Sequence, residues 1–294
     1  MSQDGNSYGA KTFLADARSI MFLSPLSEKH LNKAPETGAD AVILDLEDAI
    51  APDQKPAARA ALKGAVATLR GLGLKKILVR VNAPWLLAIE DIAAAVEAGV
   101  DCLTVPKVEG ADRVSVIAQY LEELEEQRGG GNRTLMFLQI ETALGVENLS
   151  TILRASDRVC GTMLGPEDFA KDMGHSPTIA ANDWANIAVL NAARAAGVTP
   201  IGFPGSITII RDMDLFRAQV ERANELGFRG AAVVHPAQAA MANEVFSPSE
   251  AEIEEAKKIV AAADATTAGA YMVDGKMIDA PIVDRARATL ARVR

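Results

Sequence analysis

The stretch VILDLEDAI, Val42 to Ile50, begins as a buried β-strand and then places Asp45, Glu47 and Asp48 within four positions. A strand buried on both faces has no room for unpaired charge. Its carboxyl end can carry charge if that end opens on a solvated mouth, as the strands of a parallel barrel do. The rest of the chain repeats the pattern. Apolar strands are expected at IMFLS (20–24), AVILD (41–45), ILVRV (77–81), CLTV (102–105), LMFLQI (135–140), GTML (161–164), TPIG (199–202) and AAVVH (231–235).

Between them lie segments with the 3.6-residue apolar period of helices, at 56–70, 88–98, 113–127, 182–196 and 213–226. Several are stopped by Gly71, Gly99, Gly197 or Gly227. Continuous apolar strands alternating with helices predict a parallel sheet covered on both faces, and eight such units fit a (β/α)₈ TIM barrel. A doubly wound sheet is the alternative, but no strand is followed by a GxGxxG or GxxxxGK[ST] phosphate loop. The run RGGGN (128–132) reads as a plain linker.

The chain of 294 residues is 49% hydrophobic, and its apolar runs fall short of the ~18 residues of a membrane helix. This predicts a globular chain with no membrane partner. A formal net charge of −9 without a basic face argues against nucleic acid as a partner. The beginning, MSQDGNSYGAKTF, has no basic and apolar export pattern, so a cytoplasmic location is expected. Cys102 and Cys160, the two cysteines, sit in apolar runs and predict core thiols rather than a disulfide framework.

After the eighth unit the pattern changes. FSPSEAEIEEAKKIVAAADA (246–265) starts with Ser/Pro capping chemistry and early acids, predicting a helix outside the barrel repeat. GAYMVDGKMIDAP then carries an Asp-Gly turn between short strands, and IVDRARATLARVR predicts a last helix. The expected division is a barrel over 1–245 carrying the site, and an extension over 246–294.

Polar residues gather where the strands end. Asp45, Glu47 and Asp48 follow the second strand, Arg80 and Asn82 the third and Lys107 the fourth. Glu141 follows the fifth strand, Glu167 and Asp168 the sixth, and His235 the eighth. Glu141 and Asp168, on adjacent strands, suit an oxygen-ligated Mg²⁺ that keeps several waters; a lone strand-end carboxylate otherwise caps a helix or pairs with a base. Arg80 inside an apolar strand must be paired or face a cavity; a purely structural ion pair with Glu47 or Asp48 is one reading, and the expectation is that it holds that pair and also faces substrate. His235 suits a general base or a hydrogen-bonded structural residue. His30 and His175 make no zinc-ligand spacing with it, and no GxSxG elbow supports a serine nucleophile.

The segments ARSIMFLSP, GADAVILDLEDAIAPDQKPAAR, LVRVN, VPKVE, QIETALGVEN, LGPEDFAKDMG, GFRGAAVVHPAQ, VFSPS and GKMIDAP resemble, in order and spacing, the citrate lyase β-subunit-like and malyl-CoA lyase family of the HpcH/HpaI-type aldolases. The resemblance implies a TIM barrel with an exchanged C-terminal lid, assembled as a homotrimer or a multiple of trimers. It implies retro-Claisen cleavage of a 3-hydroxy-3-carboxyacyl-CoA thioester, of citramalyl-CoA or malyl-CoA type, to acetyl-CoA and a 2-keto acid. By matching motifs, Glu141 and Asp168 would hold Mg²⁺, with Glu141 also contacting substrate. Arg18 and Arg80 would bind the acid or stabilise the enolate, Asp279 would act as acid/base from a neighbouring subunit, and Glu47 and Asp48 would support the cationic groups. A citryl-acyl-carrier-protein lyase subunit, a thioester hydrolase and a non-catalytic ligand-binding homologue are the alternatives. SPLSEKH lacks the glycine usual after that proline, and IGFPGSITIIRDMD replaces the common seventh loop.

Overall fold

The computed structural model describes residues 11–131 and 133–293; Asn132 of the glycine linker and most of the segment read for an export signal lie outside them. Eight parallel strands, β1 (Ser19–Leu23), β2 (Ala41–Asp45), β3 (Ile77–Arg80), β4 (Cys102–Val105), β5 (Leu135–Ile140), β6 (Val159–Leu164), β7 (Thr199–Pro200) and β8 (Ala231–Val233), form one curled sheet. Its order is β7-β6-β5-β4-β3-β2-β1-β8.

Apart from β7, the strands form where expected because each is a run of mostly aliphatic residues that are nearly all buried. All five residues of β2 and all six of β5 are buried. Helices cover the outside. In Lys55–Gly71 the buried positions Ala58, Leu62, Ala65, Val66 and Leu69 recur at three- and four-residue steps, the stripe that a helix turns toward a sheet. Gly99, Gly197 and Gly227 close their helices in the left-handed region. Gly71 does not; it is the last helical residue, and the left-handed turn comes at Gly73.

The seventh unit departs from expectation. β7 has two residues rather than four, because Pro200 has no N–H to give a ladder and Gly202 turns at φ 132°. The ladder is therefore open between β7 and β8, which differs from a continuous TIM-barrel ladder. Two backbone hydrogen bonds bridge the flanks, Arg229 N–H to Pro200 O (3.1 Å) and Gly202 N–H to Gly230 O (2.8 Å).

Ile20, Ile43, Leu78, Phe137 and Ala232 fill the interior together with Cys102 and Cys160. The two sulfurs lie 3.6 Å apart as buried free thiols, and burial raises the pKa of Cys102 further above the ordinary thiol range. No helix among the described residues is long and apolar enough to cross a membrane.

The chain divides into two compact units between Asn243 and Glu244. The second unit has its own small core of Ala256, Ile259, Ile278, Val283 and Ala286. Its helix Glu250–Asp264 opens with a capping box, Ser249 and Glu252 each bonding the other's backbone N–H. The hairpin β9 (Ala270–Val273) and β10 (Lys276–Asp279) turns through Asp274 (φ 46°) and Gly275 (φ 80°), both left-handed as a two-residue hairpin turn requires. Asp279 ends β10 at the N-cap position of helix Ala280–Leu290, and its side chain makes no capping hydrogen bond.

Candidate active site at the strand ends

Parallel pairing sets Asp45 on β2 directly beside Arg80 on β3. Arg80 donates from Nε to Asp45 Oδ1 and from Nη2 to Asp45 Oδ2, both at 2.7 Å, in a two-pronged pair. Asp45 also accepts the N–H groups of Glu47 (2.9 Å) and Ala49 (3.0 Å), which ties the loop after β2 to its own strand. Burial on its own would raise the pKa of Asp45; the Arg80 bonds and charge and these two N–H bonds outweigh it and hold the carboxyl below its ordinary value. The carboxylates around Arg80 likewise outweigh burial and raise its pKa.

The ion pair expected from the sequence, with Glu47 or Asp48, is present, and this register adds Asp45 as the closest partner. Asp45 holds Arg80, while Asp48 Oδ2 (3.2 Å) and Glu47 Oε2 (3.3 Å) approach the remaining nitrogen, Nη1. The Glu47 approach lacks hydrogen-bond geometry, so Oε2 is buried without a donor. The Phe22 ring lies under the guanidinium at 4.8 Å, a cation–π contact that braces its other face.

Glu47 turns its other oxygen to Lys107, whose Nζ lies 3.0 Å from Glu47 Oε1 and 3.4 Å from Asp168 Oδ2. Lys107 is one of two non-glycine residues with left-handed backbone (φ 52°) among those described. That turn lets its N–H donate to Glu141 Oε2 at 2.8 Å while its ammonium reaches two other carboxylates.

Glu141, directly after β5, is 3% exposed. Burial, then the charges of Glu47 and Asp168, push its pKa up to about 7 against the partial relief of Lys107 and Arg80. Gly165, after β6, makes room for it: a Cβ there would fall 2.5 Å from Glu141 Cγ and Oε1. Asp168 stands in the first turn of helix Pro166–Met173, with 32% of its side chain exposed.

Asp45, Arg80, Glu141 and Asp168 face a cavity of about 370 Å³. Asp45, Asp48, Arg80, Glu141, Glu167 and Asp168 form its charged side, and Phe22, Met163, Ile207 and Val234 are on its apolar side. Gln139, buried on β5 and also lining the cavity, leaves Oε1 without a partner.

Among the described residues no three His, Cys, Asp or Glu side chains converge as a ready metal cage. Glu141 and Asp168 do fit an ion that takes two carboxylates and completes its shell with water and ligand oxygens, which is the habit of Mg²⁺. The observation behind that fit is Glu141 itself: a buried carboxylate whose raised pKa marks an incompletely compensated charge, with its neighbour's Cβ omitted beside it.

Arg18 does not belong to this mouth. It stands just before β1, at the opposite end of the sheet, where Nε (2.9 Å) and Nη2 (3.1 Å) donate to Asp40, just before β2. Five strand residues at ~3.3 Å each separate it from the carboxyl end. The pair clamps the entries of two adjacent strands, and the substrate role expected of Arg18 is withdrawn. His235 lies outside the cavity lining, with Nδ1 accepting the Ala237 N–H at 3.2 Å. Sequence reasoning passed over Asp45 as the guanidinium's holder and left Lys107 without a role. It also passed over Gly165, whose only signal is its place right after a strand in LGPED.

The family model for HpcH/HpaI aldolase/citrate lyase matches residues 18–236. The chain belongs to this family. A (3S)-malyl-CoA thioesterase of Cereibacter sphaeroides is 36% identical over 283 residues, covering 94% of both chains. The citrate lyase subunit beta of Leuconostoc mesenteroides is 33% identical, covering 92% of this chain and 91% of the other. An L-malyl-CoA/beta-methylmalyl-CoA lyase of Rhodobacter capsulatus is 32% identical, covering 84% and 85%. Among solved structures, the CitE protein of Mycobacterium tuberculosis in complex with magnesium, acetoacetate and coenzyme A superposes with a TM-score of 0.74 at 25% identity, covering 93% and 97%. The family thus holds both carbon–carbon lyases and a thioesterase.

Proposed function

We propose that the chain is a Mg²⁺-dependent lyase that cleaves a malyl-CoA- or citramalyl-CoA-type thioester to acetyl-CoA and a 2-keto acid. The observation that carries the reading is the pairing of a fixed guanidinium, Arg80, with an undercompensated buried carboxylate, Glu141, across one small cavity. The R. capsulatus relative supports it.

In this reading Arg80, immobilised by Asp45, binds the substrate's carboxylate, and Asp48 and Glu47 keep the guanidinium aimed. Glu141 and Asp168 would hold Mg²⁺, which when bound supplies positive charge for the hydroxy-acid oxygens. Asp279 takes the hydroxyl proton as the hydroxyl becomes a carbonyl. The bond from the carbinol carbon to the adjacent CH₂ then breaks, and its electron pair enters the thioester enolate. Asp279 returns the proton to that carbon, which completes acetyl-CoA. Its carboxylate makes no bond to its own helix N-terminus, which supports a use elsewhere. We place it over the mouth of a neighbouring copy, in a homotrimer or a multiple of trimers, with residues 246–294 as the exchanged lid. The two backbone bonds across the β7–β8 seam support reading the sheet as a (β/α)₈ barrel with one weak seam. A CoA thioester substrate points to the cytoplasm.

A second reading, hydrolysis of the same thioester to hydroxy-acid and CoA, is favoured by the C. sphaeroides relative. Incubation with Mg²⁺ and malyl-, methylmalyl-, citramalyl- and citryl-CoA, followed by identification of products, tests both. The lyase yields a 2-keto acid and an acyl-CoA, propionyl-CoA from methylmalyl-CoA and acetyl-CoA from the others, with none formed in EDTA. Free CoA with intact hydroxy-acid would establish the hydrolase, and no product from any thioester would remove both.

A further inference from the structure

We propose that Gln238 is a positioning residue that builds the apolar side of the cavity, through which the protein selects substrates bearing hydrogen or methyl on the carbinol carbon and rejects a second carboxylate. The inference rests on the proposed reading of the site as one for hydroxyacyl thioesters. It names which of them fit.

Gln238 is fully buried at the start of the helix after β8. Its amide is used completely. Oε1 accepts the N–H groups of Val234 and His235, both at 3.0 Å. Nε2 donates to the carbonyls of Ile207 (3.0 Å) and Ile209 (2.9 Å). One side chain thus ties the loop after β7 to the end of β8, and both segments supply cavity wall, Ile207 and Val234. Ile207 packs on the same apolar cluster as Phe22 and Met163.

The two sides of the cavity would divide a substrate between them. Arg80 is the only Lys or Arg lining the cavity among the described residues, and it suits the one carboxylate that all candidate substrates share. A substituent on the carbinol carbon would meet Ile207, Val234, Met163 and Phe22. Hydrogen or methyl costs nothing there. The carboxymethyl group of a citryl thioester would set a charge against apolar side chains, with no cationic side chain among the described residues there to pair it. The nearest hydroxyls give no relief, since Ser206 bonds both Thr208 (2.7 Å) and the carboxylate of Glu167.

The test uses the full-length protein with Mg²⁺ and three 2-oxo acids that differ only at this position: glyoxylate (hydrogen), pyruvate (methyl) and oxaloacetate (carboxymethyl), titrated by calorimetry. Glyoxylate and pyruvate should bind at least about tenfold more tightly than oxaloacetate. Gln238→Glu keeps the acceptors for Val234 and His235 but loses the donors to Ile207 and Ile209. It should shrink that preference about fivefold or more and speed amide exchange in residues 206–211, with peptides carrying Glu141 and Asp168 unchanged. A merely structural role would slow or speed exchange everywhere and weaken all three acids alike. Ile207→Arg, which leaves Gln238 in place, should raise oxaloacetate affinity at least about tenfold relative to pyruvate. Equal binding of the three acids by the wild type, an unchanged preference in Gln238→Glu, or no gain in Ile207→Arg overturns the inference while the proposed function stands. If none of the acids binds, the proposed function falls and this inference falls with it.

Discussion

Replacing Glu141 by Gln should make the metal-free protein more stable, and only at high pH. Glu141 has an ordinary pKa of 4.5 and is held at about 7 in the folded chain. Between those values the folded protein binds the proton that the unfolded chain has released, so stability declines as pH rises through the window and the loss is complete above about 7. The rise corresponds to about 3 kcal/mol, all of it charged against the native state at pH 8 and shrinking to about 1 kcal/mol at pH 5.5. Gln is nearly isosteric, its carbonyl can still accept the Lys107 N–H, and it never ionises. In EDTA, Glu141→Gln should therefore melt higher than wild type at pH 8, on the order of 5–10 °C, with the gap closing toward pH 5. Mg²⁺ should raise the melting temperature of wild type and leave the variant unmoved. Scanning calorimetry at both pH values decides it. A variant that melts at or below wild type at pH 8, or a gain independent of pH, would refute the assignment of Glu141 as a buried carboxylate awaiting a cation.

Arg80→Lys keeps the charge but cannot form the two-pronged pair with Asp45, so kcat/KM should fall at least ~10²-fold, about 3 kcal/mol of transition-state stabilisation; a change below about threefold would mark a structural ion pair. Gly165→Ala places a Cβ into the Glu141 carboxylate and should lower activity on the order of 10²-fold by displacing it; steady-state kinetics at wild-type level would show that the carboxylate has room to move. Asp279→Ala and Glu141→Ala, each inactive alone, should recover activity when mixed under conditions of subunit exchange. With exchange confirmed independently, no recovery would place the action of Asp279 within its own chain.

Much of this was legible in the residues because a parallel sheet covered on both faces writes itself as short continuous apolar runs, and charges that follow those runs collect at one end. β7 was overread because Thr-Pro-Ile-Gly is apolar without being able to sustain a ladder. Glu47 and Asp48 do reach Arg80 as DLED suggests, but DLED does not reveal that Asp45 holds it most closely. Which acid stands opposite an arginine depends on the register of β2 on β3, and that register pairs Asp45 with it. Arg18 was placed at the mouth by resemblance, although a residue that precedes its strand belongs at the far rim. The left-handed turn at Lys107 leaves no trace in composition, since lysine has no preference for that region. Gln238 gave no signal either. Its four bonds unite two loops that are about thirty residues apart in sequence.

The most direct test of the central claim is the reaction of malyl-CoA with the protein and Mg²⁺ in D₂O, followed by NMR and mass spectrometry. Carbon–carbon cleavage through an enolate predicts glyoxylate together with acetyl-CoA carrying one deuterium in its methyl group, with neither product formed in EDTA or by Glu141→Ala. Free CoA with malate that carries no carbon-bound deuterium would contradict it.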